Sequence, residues 1–373
     1  MIGKTTINRN KRREKMIYSN KKISRLLFFL LVIALVLFVG ASPALSKKVI
    51  KIGSYDPPLE LTMDKTNGNY ASTNVKAQVF KTLFEGATGG RYEVKIYPNA
   101  QLGNDREGLE MCKKGSMEMN AYPGNPMSNF VPEVLAYQIP YLFKDTTVAK
   151  RVMEGPLGEE LRQLILKKTG IRILAWGFEG PYVNFQSIKK EIRVPSDLKG
   201  QKIRVMESKS IHETVRAAGG TPTPIPWPEI YTSLQQGVID GMGCPLPFVR
   251  MSKADEVIKY INKADFYLAF SNFCVNEKFY QSLSPEDRYL LKKCAYEAMR
   301  VYDGMVLFAE KVEIDSFISK GIEVYYPTAA EMEIWKKTIK PHMVKWTKDQ
   351  IGSEWVDKFV KASARAEKEL YGD

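Results

Sequence analysis

One arginine stands out among the residues of this chain that could do chemistry. Arg204 lies in the short run Lys-Ile-Arg-Val-Met at 202–206, and residues 193–246 around it read RVPSDLKGQKIRVMESKSIHETVRAAGGTPTPIPWPEIYTSLQQGVIDGMGCPL. The pattern predicts a strand carrying Arg204, a helix, a Gly-Gly stop at 219–220, a second strand, and a Pro-started helix at 227–229 that runs to Gly-Val-Ile-Asp-Gly at 237–241. Such a frame aims one fixed cation into a cleft, where a guanidinium fork gives a carboxylate two parallel hydrogen bonds. No catalytic set accompanies it. The chain has no Gly-x-Ser-x-Gly, no His-Glu-x-x-His and no phosphate loop. Its two histidines, His212 and His342, lack ligand spacing and read as surface or helix residues. Four cysteines, Cys112, Cys244, Cys274 and Cys294, match no metal motif and read as mostly free, buried thiols. The chain therefore reads as a binding protein, with no cofactor implied.

The elements that position Arg204 need room, and 373 residues are enough for two lobes with a core in each. The formal charge of +13 is carried by one end. Residues 1–25 hold nine Lys/Arg against the single acid Glu14, and the remainder is about +5, ordinary for a soluble domain. The basic excess is a targeting feature and not a nucleic-acid surface. Lys21, Lys22 and Arg25 precede an apolar run at 26–40, and Ala44 and Ser46 are small residues at the −3 and −1 positions before Lys47. Residues 1–46 thus read as a basic extension and a cleaved export signal, placing the mature chain in the periplasm. The alternative is an uncleaved anchor, since 26–45 is about 20 uncharged residues, near one bilayer span.

Past residue 46, strand and helix patterns alternate, which predicts an α/β fold. Strands are expected at 48–54, 92–96, 117–121 and 171–176, and a helix at 73–84. Asn104 is the expected cap of a helix opened by Asp105 and Glu107 and stopped at Gly115. The loop Tyr-Pro-Gly-Asn-Pro at 122–126 follows a strand and is a candidate wall of a ligand site. Ser284-Pro285-Glu286-Asp287 starts a helix whose pattern runs to Lys320, roughly 50 Å, long enough to bridge two lobes. The expected division is 47–180 with 270–310 as one lobe and 181–269 with 311–373 as the other. The Gly/Pro-rich passage 177–181 and residues 267–272 would act as hinges.

In their order and spacing these segments resemble the extracytoplasmic solute-binding subunits of TRAP transporters, the DctP-like family. The resemblance rests on Phe-Glu-Gly-Ala-Thr-Gly-Gly at 84–90, Tyr-Pro at 97–98, Gln-Leu-Gly-Asn-Asp-Arg-Glu at 101–107 and Ile-Pro-Tyr-Leu-Phe at 139–143. In the second lobe it rests on Asp-Leu-Lys-Gly-Gln-Lys-Ile-Arg-Val at 197–205, Thr-Pro-Thr-Pro at 221–224, Trp227, Glu-Ile-Tyr at 229–231 and Leu-Gln-Gln-Gly-Val-Ile-Asp-Gly at 234–241. It implies a two-lobed, type II-like periplasmic-binding-protein fold with a long helix across both lobes. It also implies closure on a small organic anion and delivery to small and large permease subunits, driven by a sodium or proton gradient. In such proteins the arginine of the Lys-x-Arg-Val strand pairs with the ligand carboxylate, here Arg204.

Two departures from the family bear on the ligand. Asn184 stands where many members have a second arginine, and Cys244 where most have an asparagine. Both remove polar partners, which predicts a monoanion with an apolar or aromatic body. Trp227, Tyr122 and Tyr182 would pack against that body, and Asp105 stands where some members touch the ligand's polar groups. A sulfonate held by Arg204, Asn184 and backbone N–H groups is a rival. A sensing role beside a membrane receptor is the alternative to delivery.

Overall fold

The computed structural model describes residues 47–58 and 72–372; the expected export signal at 1–46 lies outside them. The first elements are β1 (Lys48–Gly53), α1 (Thr73–Ala87), β2 (Tyr92–Tyr97), α2 (Asp105–Lys114) and β3 (Met119–Asn120). Two 3-10 turns follow, then α3 (Thr146–Met153), α4 (Pro156–Thr169) and β4 (Ile171–Ser187). Next come β5 (Lys202–Val205), α5 (Lys209–Ala217), β6 (Thr221–Pro224), α6 (Ile230–Gln235), β7 (Gly241–Pro245) and α7 (Leu246–Met251). The chain closes with β8 (Tyr260–Asn276), α8 (Glu277–Gln281), α9 (Pro285–Ser319), β9 (Glu323–Tyr325), α10 (Ala329–Ile351) and α11 (Ser353–Tyr371).

Among the described residues the strands order as β2-β1-β3-β8-β4-β7-β5-β6, with β9 beside β8. Parallel pairing joins β1 to β2 and β3, and β5 to β6 and β7. These two parallel blocks are linked by β4 and β8, which pair antiparallel with each other along their length. Each block is thus a small strand-helix-strand unit, and two 17-residue strands run from one to the other. The passage at 177–181, expected to follow a strand ending at 176 and to act as a hinge, lies inside β4, and 267–272 lies inside β8, with Gly177 opposite Ser271 and Gly180 opposite Ala269. The glycines and proline register as shifts in pairing between Phe178 and Gly180 and between Gly180 and Val183, rather than as a loop.

Local signals act as the chemistry of their residues dictates. Asn104 Oδ1 accepts from the N–H groups of Arg106 and Glu107 while Glu107 Oε2 accepts from Asn104 N, and Gly115 ends α2 at φ 80°. Ser284 Oγ caps α9 by accepting from Asp287 N at 3.0 Å. The buried face of α9 includes Leu291, Ala295, Ala298, Tyr302, Val306 and Ala309, and the helix packs on β4, on α1 from one block and on α7 from the other. Asp303 fixes it to the crossing strand, accepting from Phe178 N at 2.9 Å and pairing with Lys150 and Arg300 at 3.0 Å each. Gly177 allows this approach, since a Cβ there would fall 2.3 Å from Met299 Sδ. All four cysteines are free and buried. No helix among the described residues is long and apolar enough to cross a membrane.

Candidate functional site

Arg204 is the third residue of β5, with Thr223 of β6 and Met242 of β7 opposite it on either side. Its side chain is 5% exposed, yet it enters no salt bridge among the described residues. Nε donates to Ile225 O at 3.0 Å, its one hydrogen bond among them. The guanidinium lies 5.7 Å from the centre of the Trp227 ring, whose face attracts a cation. Burial holds its pKa below the ordinary arginine value, with Cys244, Asp105 and Tyr55 acting in the other direction. A buried cation without a counter-ion is costly. An anion entering beside Arg204 removes that cost.

The cavity beside it is about 50 Å³ and draws on both parallel blocks and both linking strands. Arg204, Met206, Ile211, Trp227, Cys244 and Phe248 come from the block built on β5. Tyr55, Asp105 and Asn125 face them from the block built on β1, and β4 contributes Glu179 and Val183. Open α/β sheets bind ligands outside the carboxyl ends of their strands, and this cavity lies there relative to β5. A wider depression of about 660 Å³ opens over Arg106, Lys209, His212, Glu213, Arg216 and Trp346. Its lining is largely exposed and charged, with no buried ion left to pair.

Four of the residues singled out from the sequence line the cavity together: Arg204, Trp227, Cys244 and Asp105. Trp227 packs edge-on against Tyr55 and Phe248, with centroids 5.9 and 5.7 Å away. The Cys244 thiol is 3.6 Å from Gln186 Oε1, and burial pushes its pKa up to about 12. It is a small protonated wall residue, not a reactive thiolate.

Three others stand elsewhere. Tyr122 is fully buried behind the wall, stacked on Tyr55 at 6.2 Å with its hydroxyl donating to Gly103 O at 2.9 Å. Tyr182 lines a separate crevice with Tyr141 and Asp265. Asn184 is fully buried, and its Oδ1 accepts from Asp265 N at 2.8 Å. Asn184 is not part of the cavity lining, whereas its neighbour Val183 is.

Glu179 escaped the sequence reading. It is 6% exposed, lines the cavity, and its Oε1 is buried without a hydrogen-bond partner. Burial raises its pKa well above the usual carboxylate range, Lys76 pulls it down, and Asp105 and Asp56 push it up. A lone acid inside the apolar stretch Ile-Leu-Ala-Trp-Gly-Phe-Glu-Gly-Pro at 173–181 was the available signal. Asn125 comes from the 122–126 loop expected to wall the site. Tyr55, Val183, Met206, Ile211 and Phe248 were also missed, and nothing in their spacing marks them.

Asp105, the first residue of α2, has its carboxyl pushed up to about 7, chiefly by burial, with Arg204 opposing. Asp56, deeper in the same block, is raised to about 6, again by burial. The folded chain therefore binds more protons than the unfolded one between the ordinary carboxylate range and about pH 7, so these groups make stability fall as pH rises through that window. An ionised Asp105 also repels an anion at Arg204. Carboxylate affinity is expected to rise as pH falls from about 8 to about 6, and Asp105→Asn to flatten the profile. Titration calorimetry across that range checks both, and a wild-type profile already flat contradicts the assignment.

The arrangement offers an anion a buried guanidinium. Neither histidine lines the cavity, the thiol is protonated, and no metal-binding cluster occurs among the described residues. Residues 66–349 match the model of the family described as bacterial extracellular solute-binding protein, family 7, DctP. The chain belongs to this family. A family 7 protein of this kind is a non-enzymatic transport component, the solute-binding subunit of a TRAP system, and proteins of the family are periplasmic. A solute-binding protein of Verminephrobacter eiseniae is 31% identical over 248 residues, 66% of this chain and 71% of its own. A TRAP periplasmic solute-binding protein from Polaromonas sp. JS666, bound to D-erythronate, is 27% identical with a TM-score of 0.75, covering 84% of this chain and 98% of its own. Another from Desulfovibrio salexigens, with bound orotic acid, is 26% identical with a TM-score of 0.77, covering 86% and 100%. The chain shares their two-lobed α/β fold.

Proposed function

We propose that this family 7 protein captures a small acid with a single carboxylate and an apolar or aromatic body, and delivers it to the small and large membrane subunits of a TRAP transporter. The observation that carries this reading is Arg204, buried on the cavity wall without a counter-ion among the described residues. A carboxylate there accepts two charge-assisted bonds, each contributing about 1.5–3 kcal/mol. No second cation lines the cavity among the described residues, and Val183, Met206, Ile211, Trp227 and Phe248 give it apolar walls. A second carboxylate, or a train of hydroxyls, would lose its water for few partners. The orotic acid bound to one of the related structures carries one carboxylate on a flat ring. With Asn184 outside the cavity lining, a sulfonate loses one of the three partners expected for it.

Delivery follows from the family together with the export signal read at 1–46, whose cleavage would free the chain into the periplasm. Closure around the acid would bend β4 and β8 where their pairing slips, near Gly180 and Ala269. Melting curves against aliphatic and aromatic monocarboxylates, dicarboxylates, sugar acids and sulfonates test the proposal. A monocarboxylate at a hundred times its Kd is expected to stabilise the protein by about 2.7 kcal/mol, with dicarboxylates and sugar acids well below it. A dicarboxylate bound as tightly as any monocarboxylate contradicts the reading.

A further inference from the structure

Building on the assignment of the carboxylate to Arg204, we propose that Glu179 is a specificity-determining residue for an acid that also carries a protonated nitrogen, so that the cargo resembles an amino acid. Glu179 shares the cavity lining with Arg204, and its Oε1 is buried with no partner. Buried carboxylates in folded proteins are paired or hydrogen-bonded, and one left open on a cavity is a place for a donor. Lys76 does not fill it. That ammonium donates to Ser271 Oγ and to Asn272 O, and it forms no salt bridge with Glu179.

Charge balance points the same way. The lining holds one guanidinium, Arg204, and two carboxyl groups, Glu179 and Asp105. A plain carboxylate answers Arg204 and leaves Glu179 without a donor. An acid with an ammonium or amidinium brings a cation that favours the ionised form of Glu179, so each end of the ligand meets an opposite charge. The rings of Trp227, Tyr55 and Phe248 complete the walls, and aromatic faces accept cations. The nitrogen would donate to Glu179 while the carboxylate accepts from Arg204, which fixes the ligand's direction between β4 and β5.

Titration calorimetry on matched pairs tests this. The probes are the protein amino acids, β-alanine, 4-aminobutanoate and glycine betaine, each set against the acid of the same carbon skeleton without nitrogen. At least one amino acid is expected to bind the wild-type protein about ten- to a hundredfold more tightly than its partner. Glu179→Gln should erase that advantage, and a melting transition close to the wild type's shows that the variant is folded. The proposal is overturned if no amino acid binds, if every nitrogen-free or hydroxy acid binds the wild type at least as well as its amino counterpart, or if the advantage survives Glu179→Gln. Failure here is distinct from failure of the Arg204 assignment. Plain acids that bind, and are lost in Arg204→Ala, leave Arg204 in place and remove only the role of Glu179.

Discussion

Arg204→Ala is expected to lower the affinity for the acid at least a hundredfold while leaving the ligand-free protein about as stable as before. The first half follows from the loss of two charge-assisted bonds at about 1.5–3 kcal/mol each. The second follows from burial. The guanidinium is 5% exposed, holds one hydrogen bond to Ile225 O and enters no salt bridge among the described residues, so its removal also relieves a desolvated charge. Most buried side chains behave differently, because truncating them costs stability and function together. Arg204→Lys keeps the charge and loses the fork, and is expected to bind about tenfold more weakly than wild type. Calorimetric titration and melting of the three proteins check both halves. An alanine variant that binds normally, or that melts far below wild type before ligand is added, contradicts the role given to Arg204.

Gly108→Ala is expected to destabilise the protein by about 3 kcal/mol and to weaken ligand binding from outside the cavity. A Cβ at Gly108 would fall 1.7 Å from Tyr122 Cε2 and 2.3 Å from its Cδ2, so the ring must move. Tyr122 is fully buried and has no free space to enter. Overpacking of this kind costs about 1–3 kcal/mol, and a clash with a rigid ring belongs at the upper end. The ring lies on Tyr55, which meets Trp227 edge-on at the cavity wall. Displacing Tyr122 therefore shifts the surface that faces the ligand. Trimming the ring in the same background, as Gly108→Ala with Tyr122→Leu, should recover part of the loss, because the two changes share one contact. Urea unfolding of the single and double variants measures this, and strictly additive losses would argue against the contact.

Arg204 could be read from sequence because its surroundings are local. A short strand, a helix stopped by glycines and a Pro-started turn follow one another within about forty residues, and each announces itself by spacing or cap chemistry. Asn104 with Glu107, and Ser284 with Pro285, were legible for the same reason. The failures occur where long-range pairing decides. Gly177, Gly180 and Pro181 read as a break, yet β8 pairs alongside and carries β4 through them with shifted register. Asn184 reads as a ligand partner, yet its amide oxygen accepts from Asp265 N on β8, and Val183 lines the cavity instead. Tyr122 reads as a loop aromatic, but Gly108 opens a slot that draws the ring inward. Glu179 is visible in sequence only as an acid in an apolar run. Its open oxygen and its place on the same cavity as Arg204 follow from the pairing of β4 with β7 and β8.

In the proposed function one buried arginine, Arg204, receives the carboxylate of the transported acid. A crystal structure of the protein with the acid that most raises its melting temperature tests this most directly. The predicted result places both carboxylate oxygens on the Arg204 guanidinium at about 2.7–2.9 Å, with Trp227 against the ligand body and Val183 in contact from β4. A ligand whose carboxylate pairs with another cation, leaving Arg204 bonded only to Ile225, would contradict it.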